Sequence, residues 1–443
     1  MYKYIDLLRK VISYRRLHGN KALYRIILLK IKSHLQAQQN QLIAKAEQLV
    51  NNESSNSLST IKPRLDALTP LRTFVITSVP TLRISIITDS ISNNHLFGGV
   101  GTALIYAAQL ANRLNGQLRV ITRTERAQPQ NVEKFLSLYD VKLKHETLFQ
   151  FAAFYDQKYE VDVFKDDLFI TTSWWTTAAT IPSIHPKSII YLLQEDERMF
   201  YPFGDERYKC EAILQNKDIR FLINTELLFN HLTQNGLKNI QEKGHWFEPA
   251  FPKNVFSPKN PTLAQPQKLK LFFYARPNNP RNLFNLGIDV FEKAISQGVI
   301  DTNKWEIYFV GKDIPDIIFS SGYAPIKYEN LTWSEYAQFI ATVDLGLSLM
   351  YTPHPSYPPL DLAASGAVVV TNRYGNKQNL SNYSENIICA DLERDALVIA
   401  LKQAISLATD SVQRHKNYSA NKLLTDWEVA FRDTIEDLVG ATS

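Results

Sequence analysis

Short apolar runs alternate along this chain with segments whose apolar residues recur every three or four positions. The runs at 83–89, 117–123, 167–172, 188–194 and 218–224 have the length of buried strands, and 102–114 has helical spacing. A stretch rich in proline, lysine and asparagine at 249–267 interrupts the pattern, which then restarts. The second series predicts strands at 268–275, 306–311, 344–350 and 367–371, and helices at 284–297, 334–342 and 396–407. Strands alternating with helices imply parallel sheets covered on both faces, with ligands at the carboxyl ends of the strands. The expectation is therefore an α/β chain of two Rossmann-like domains, 61–250 and 251–425, facing each other across a cleft, with a closing helix at 426–443. Before them, residues 1 to about 50 carry helical apolar spacing, and the polar run NNESSNSLST at 51–60 reads as a linker.

Charge changes the picture only at the start of the chain. The net charge of +5 is mild for 443 residues and calls for no nucleic acid. Yet Lys3, Arg9, Lys10, Arg15, Arg16, Lys21, Arg25, Lys30 and Lys32 are opposed only by Asp6 over that span. A basic amphipathic segment can lie on an anionic membrane surface; it can equally pack on its own domain with the basic face solvated. Cys210 and Cys389 form no ligand pattern, which fits a reducing compartment. No apolar run nears the roughly 20 residues of a membrane span, and the first residues lack an export-signal core. The expected location is cytoplasmic, with residues 1–50 as the possible contact to the inner face of the membrane.

The stretch 344–371 is the densest candidate for chemistry. It reads as strand, proline-rich loop, helix and strand, with Pro359 suited to the first turn of the helix. A helix N-terminus at the end of a parallel strand offers free N–H groups to an anion, and Asp361 one turn in could accept sugar hydroxyls. Arg276 ends one strand, Arg281 precedes the next helix, and Lys312 ends another strand. Such cations can hold a diphosphate, or can be surface residues on loops. After 188–194 come Glu195, Asp196 and Glu197, which could supply a general base or a metal pair, or form a solvated acidic turn. Trp174 and Trp175 could stack on an acceptor sugar, or one could be core. Gly98, Gly99 and Gly101 mark a tight βα turn, but the third glycine of a dinucleotide fingerprint is missing, since Leu104 stands there.

Taken together, these residues resemble a GT-B glycosyltransferase of the family 4 type. Within it, Leu193-Gln194-Glu195, Tyr201-Pro202-Phe203-Gly204, Ser173-Trp174-Trp175-Thr176 and the run Pro353 to Leu360 resemble the WsaF-type rhamnosyltransferases. The resemblance spans about 83–407. It implies transfer of L-rhamnose from dTDP-L-rhamnose to a bacterial surface glycan or lipid-linked glycan acceptor, with no metal or other cofactor. It places the turn Phe97-Gly98-Gly99-Val100 at the donor phosphates and Arg276 and Arg281 on the diphosphate. Lys312, Ser356 and Tyr357 are expected beside the donor, and Glu195, then Glu197, as base or oxocarbenium stabiliser. Asp361 falls at the second acid of the family's paired-glutamate motif, whereas the first falls at Pro353. Ser384-Glu385-Asn386 resembles the turn before the last strand of the donor domain. Two other classes remain open at this point: a metal-dependent GT-A-like transferase using Glu195 and Glu197, and a non-enzymatic two-domain ligand-binding protein.

Overall fold

The structure, a computed structural model, describes residues 66–92, 96, 98–156, 158–258 and 268–440. The basic extension and linker expected at 1–60 lie outside the described residues. Seven parallel strands form a first sheet in the spatial order Leu148–Phe151, Gln117–Thr122, Arg83–Thr88, Leu168–Thr171, Ile189–Leu193, Arg220–Asn224, His245–Phe247. Six parallel strands form a second, in the order Ile326–Glu329, Trp305–Gly311, Leu269–Ala275, Leu345–Leu347, Val368–Asn372, Ile387–Ala390. Both are doubly wound sheets, so the predicted α/β class and the two Rossmann-like halves hold.

Burial explains the sequence pattern. All six residues of Arg83–Thr88 are buried, as expected for a parallel strand with helices on both faces. Its side chains alternate: Ile84 and Ile86 join the core on one face of the sheet, and Ile87 joins the core on the other. In the second sheet Leu271 and Phe273 serve one core and Phe272 the other. The final helix, Trp427–Gly440, returns to the first sheet, where Phe431 meets Tyr106 and Phe247 at ring separations of 5.0 and 4.8 Å.

Several strands escaped the sequence reading because they lack an apolar run. Ile326–Glu329 is an edge strand exposed at every position, and the strands of a parallel ribbon, Thr73–Val75 with Val161–Val163, are three residues each. The predicted strand at 344–350 contracts to Leu345–Leu347. The predicted helix at 102–114 begins earlier, as Gly99–Arg113. Gly98 caps it at φ +51°, a conformation that favours glycine. Gly101 is required by packing, since a Cβ there would come within 2.5 Å of the Phe135 ring. The glycines thus serve the close packing of a helix start as well as a turn.

A buried charge network ties the ribbon to the first sheet. Asp167, fully buried, accepts from Arg83 Nε at 2.9 Å and from the Phe164 amide at 2.9 Å. Arg119 Nε donates to Ser85 Oγ at 2.8 Å, and its Nη1 reaches the Asp162 carbonyl at 2.8 Å.

Candidate active site

Strand order reverses between Arg83–Thr88 and Leu168–Thr171 in one sheet, and between Leu269–Ala275 and Leu345–Leu347 in the other. A crevice outside the carboxyl ends forms at such switch points. The turn at Gly98 and Gly99 stands at the first, bridged by Gln194, whose Nε2 donates to the Gly99 carbonyl. Arg276 stands at the second. Because Ala275 pairs with Gly311, Arg276 and Lys312 leave the sheet side by side; Arg276 is half-buried and donates to the Tyr274 hydroxyl at 3.2 Å, while Lys312 is exposed.

The three consecutive acids go to three different places. Glu195 points into the cleft, accepting from the Thr352 hydroxyl and lying 3.6 Å from Arg281 Nη1. Asp196 takes a bidentate pair from Arg198, both bonds at 2.8 Å, and faces His231 at 3.2 Å. Burial opposes its ionisation, but the His231 and Arg198 hydrogen bonds win and hold it well below the usual carboxylate range. Glu197 is buried and accepts the Trp174 amide at 2.8 Å, at the first turn of the helix Trp174–Thr180. Burial pushes it up to about 8, against the pull of the Trp174 amide and the Tyr191 hydroxyl. Its carboxyl holds a helix start in place, which does not suit the catalytic role expected for it. A metal pair of Glu195 and Glu197 is not supported by carboxyls committed to Arg281 and to a backbone amide, and no cluster of metal-ligating residues occurs among the described residues.

Arg281 is the cation best placed for an anion in the cleft. Its guanidinium lies 4.1 Å from the centre of the Phe200 ring and keeps about a fifth of its side-chain surface exposed, as does Glu195. Two further groups join it that sequence reasoning missed. Lys377, fully buried, reaches the Met350 carbonyl at 3.4 Å. Burial pushes its ammonium down to about 8, with Cys389 and Glu195 pulling it back up. His354, in the proline-rich loop, accepts the Ser356 amide at Nδ1 at 2.9 Å. Burial, then Lys377 and Arg281, push it down to about 3, so the ring is neutral and Nε2 is left without a partner among the described residues. Nothing in a polar turn announces a buried lysine; only the return of 374–377 towards the cleft places it there.

Other expected donor residues are placed differently. The helix begins at Tyr357, with Pro358 and Pro359 in its first turn and Ser356 before it at φ +71°. Tyr357 reaches across to the first half, its hydroxyl 2.5 Å from Thr102 Oγ1 and accepting Asn224 Nδ2 at 2.9 Å. It therefore latches the two halves, and its hydroxyl is spent on that contact. The Ser356 hydroxyl is buried. Asp361 lines a small cavity with Tyr139, Phe256 and Trp333, and accepts the Tyr336 hydroxyl at 3.1 Å. The sugar-hydroxyl role expected for Asp361 is not supported by that burial. Trp174 is 3% exposed and donates to Tyr201 at 3.0 Å, so it is core and not a stacking platform. Trp175 is half-buried and donates to Asp89 at 2.8 Å.

Burial pushes the Asp361 carboxyl well above its ordinary value, against the Tyr336 hydrogen bond. A raised acid binds its proton more tightly in the folded chain. Its contribution to stability is complete below the unfolded value near 3.9 and is lost as pH rises towards the folded value. Asp361→Asn removes the titration, so its urea midpoint should gain on the wild type as pH is raised above about 4. Parallel curves for the two chains would show that Asp361 is ionised in the fold.

Two doubly wound sheets facing across a crevice, with Arg276, Arg281, Lys377 and Glu195 beside it, have the GT-B architecture. The sequence agrees: residues 83–226 match the WsaF N-terminal domain and 269–402 the WsaF C-terminal domain, together well over half of the chain. The chain belongs to the WsaF family. It is 29% identical over 272 residues to the O-antigen biosynthesis protein RfbC of Myxococcus xanthus, covering 59% of this chain. The matched region spans about 20% of that curated relative. Sucrose-phosphate synthase from Thermosynechococcus elongatus superposes with a TM-score of 0.55 over 82% of this chain and 100% of its own, at 14% identity. HepE from Anabaena, solved with UDP and glucose, gives 0.54 over 82% and 99%, at 12% identity. At these identities the structures speak for the fold alone, and that fold replaces the GT-A alternative. Among the described residues no helix is long and apolar enough to cross a membrane.

Proposed function

We propose that this chain transfers L-rhamnose from a dTDP-linked donor to a hydroxyl of a bacterial surface glycan or its lipid-linked precursor. The observation that carries the reading is the Arg281–Glu195 pair, with Lys377 behind it, at the switch point where the two halves meet. The donor lies on the second half, its diphosphate against Arg281, Arg276 and the start of the helix Tyr357–Ala364. Charge developing on the departing diphosphate meets preorganised cations, an electrostatic role the chain supplies from its own residues. Glu195 takes the proton of the acceptor hydroxyl as its oxygen bonds to the anomeric carbon and the bond to the diphosphate breaks. Membership of the WsaF family, the RfbC likeness and the loop Pro353 to Leu360 support a glycan product and the rhamnose donor.

The test is release of nucleoside diphosphate from dTDP-L-rhamnose, UDP-glucose and GDP-mannose, each with and without EDTA. Turnover of the dTDP sugar above the others, undiminished by EDTA, is expected; preference for another donor overturns the rhamnose assignment, and loss in EDTA overturns metal independence. Arg281→Ala removes one charge-assisted contact, worth roughly 1.5–3 kcal/mol, so dTDP affinity should fall about ten- to a hundredfold. Calorimetry showing equal affinity would move the diphosphate elsewhere.

A further inference from the structure

The strands Arg83–Thr88, Gln117–Thr122 and Leu148–Phe151 lie side by side in the first sheet. Beyond the end of the middle one, a cavity of about 190 Å³ is lined in part by Arg72, Arg123, Phe154, Asp156 and Tyr159. That is below the roughly 300–1,000 Å³ of pockets for drug-sized ligands, and suits one small unit. Arg123 is 2% exposed. Its Nη2 donates to the Thr69 carbonyl at 2.8 Å, but Nε and Nη1 find no partner among the described residues. Leaving two donor groups of a buried cation unmade is costly, and an acceptor of matching geometry would remove the cost.

The surroundings favour an anion over a neutral group. Arg72 adds a second cation at the exposed edge, and Arg126 lies 5.3 Å from the Tyr159 ring centre, donating to its hydroxyl at 3.0 Å. Asp156 is the acid in the lining, and its Oδ1 accepts the Lys158 amide at 3.0 Å. Burial pushes the Arg123 guanidinium down to about 10, with Asp89 pulling it up, so it stays charged at neutral pH. Asp89 itself accepts from Trp175, in the first turn of the helix Trp174–Thr180.

We propose that this cavity binds the anionic group of a sugar, a carboxylate or a phosphate, in the fork of Arg123, with the Phe154 and Tyr159 rings against the sugar face. Its role, holding a charged unit of the acceptor glycan, rests on the glycosyltransferase reading. The binding itself does not.

Full-length chain is titrated by calorimetry with glucuronic acid, glucose 1-phosphate and, as the neutral control, glucose. One or both anions should bind the wild type and Arg281→Ala alike, and glucose should not. The tighter of the two tells a carboxylate source from a phosphate source. Arg123→Met keeps the volume and removes the unmade donors; it should hold its urea midpoint and weaken the anion about ten- to a hundredfold. Arg123→Lys keeps a charge without the fork and should also weaken it, which provides a second reading if the methionine variant fails to fold. Equal affinity in the Arg123 variants, loss of binding in Arg281→Ala instead, or a wild type that binds neither anion would overturn the site. Anion binding through Arg123 in a chain that turns over no sugar nucleotide would keep the site and overturn the enzymatic reading.

Discussion

Glu195→Gln is expected to lower turnover by about 10²–10⁴ while nucleoside diphosphate affinity is kept or rises. Of the three consecutive acids, only Glu195 faces the cleft; Asp196 is paired with Arg198 and His231, and Glu197 holds the Trp174 amide. Glutamine has the same shape and can still meet the Thr352 hydroxyl, so the loop should keep its conformation. What disappears is the ability to take a proton, together with the negative charge 3.6 Å from Arg281. The freed guanidinium can then engage the diphosphate more fully, which is why binding should not fall. Burial raises the Glu195 carboxyl, opposed by Arg281, Thr352 and Lys377. The acidic limb of the wild-type turnover profile should therefore lie above the value near 4.3 of a free glutamate, and the glutamine variant should lack that limb. Near-normal turnover in Glu195→Gln would remove Glu195 from the chemistry, and a matched loss of dTDP affinity would make it a binding residue.

The second large effect concerns stability and lies far from the cleft. Asp167→Ala should cost about 3–5 kcal/mol of unfolding free energy, because it leaves buried cations without their central partner. Asp167 is fully buried between Arg83 and Arg119, whose side chains are themselves 6% and 2% exposed. Burial, then the neighbouring Arg83, already pushes Arg119 down to about 10. With Asp167 gone, Asp162 alone would face both guanidiniums, and the Phe164 amide would lose its acceptor. Urea denaturation measures the change. A loss below about 1 kcal/mol would place the network in the class of solvent-screened pairs. Replacing Arg83, Arg119 and Asp167 together by apolar residues of similar volume should cost less than Asp167→Ala, since a buried network is weak evidence of net stabilisation but expensive to leave half made.

The central strands were legible in the chain because a parallel strand covered on both faces is mostly apolar, and Arg83–Thr88 and Val368–Asn372 are buried at every position. Their alternation with helices settled the doubly wound class, and sheet topology then brought Arg276, Arg281 and Glu195 to the switch points. The motifs at 173–176, 193–195, 201–204 and 353–360 carried the family resemblance. What the sequence could not decide was direction. Glu195, Asp196 and Glu197 are adjacent along the chain, and only the surrounding Arg281, Arg198 and Trp174 amide determine which carboxyl faces the cleft. Asp361 and Tyr357 lie on the expected helix, yet packing sets one in the lining of a small cavity beside Tyr336 and the other onto Thr102 and Asn224. Lys377 and Arg123 carry no local signal at all. Their chemistry comes from burial, and burial depends on contacts between segments distant in sequence, which hydrophobic periodicity does not encode.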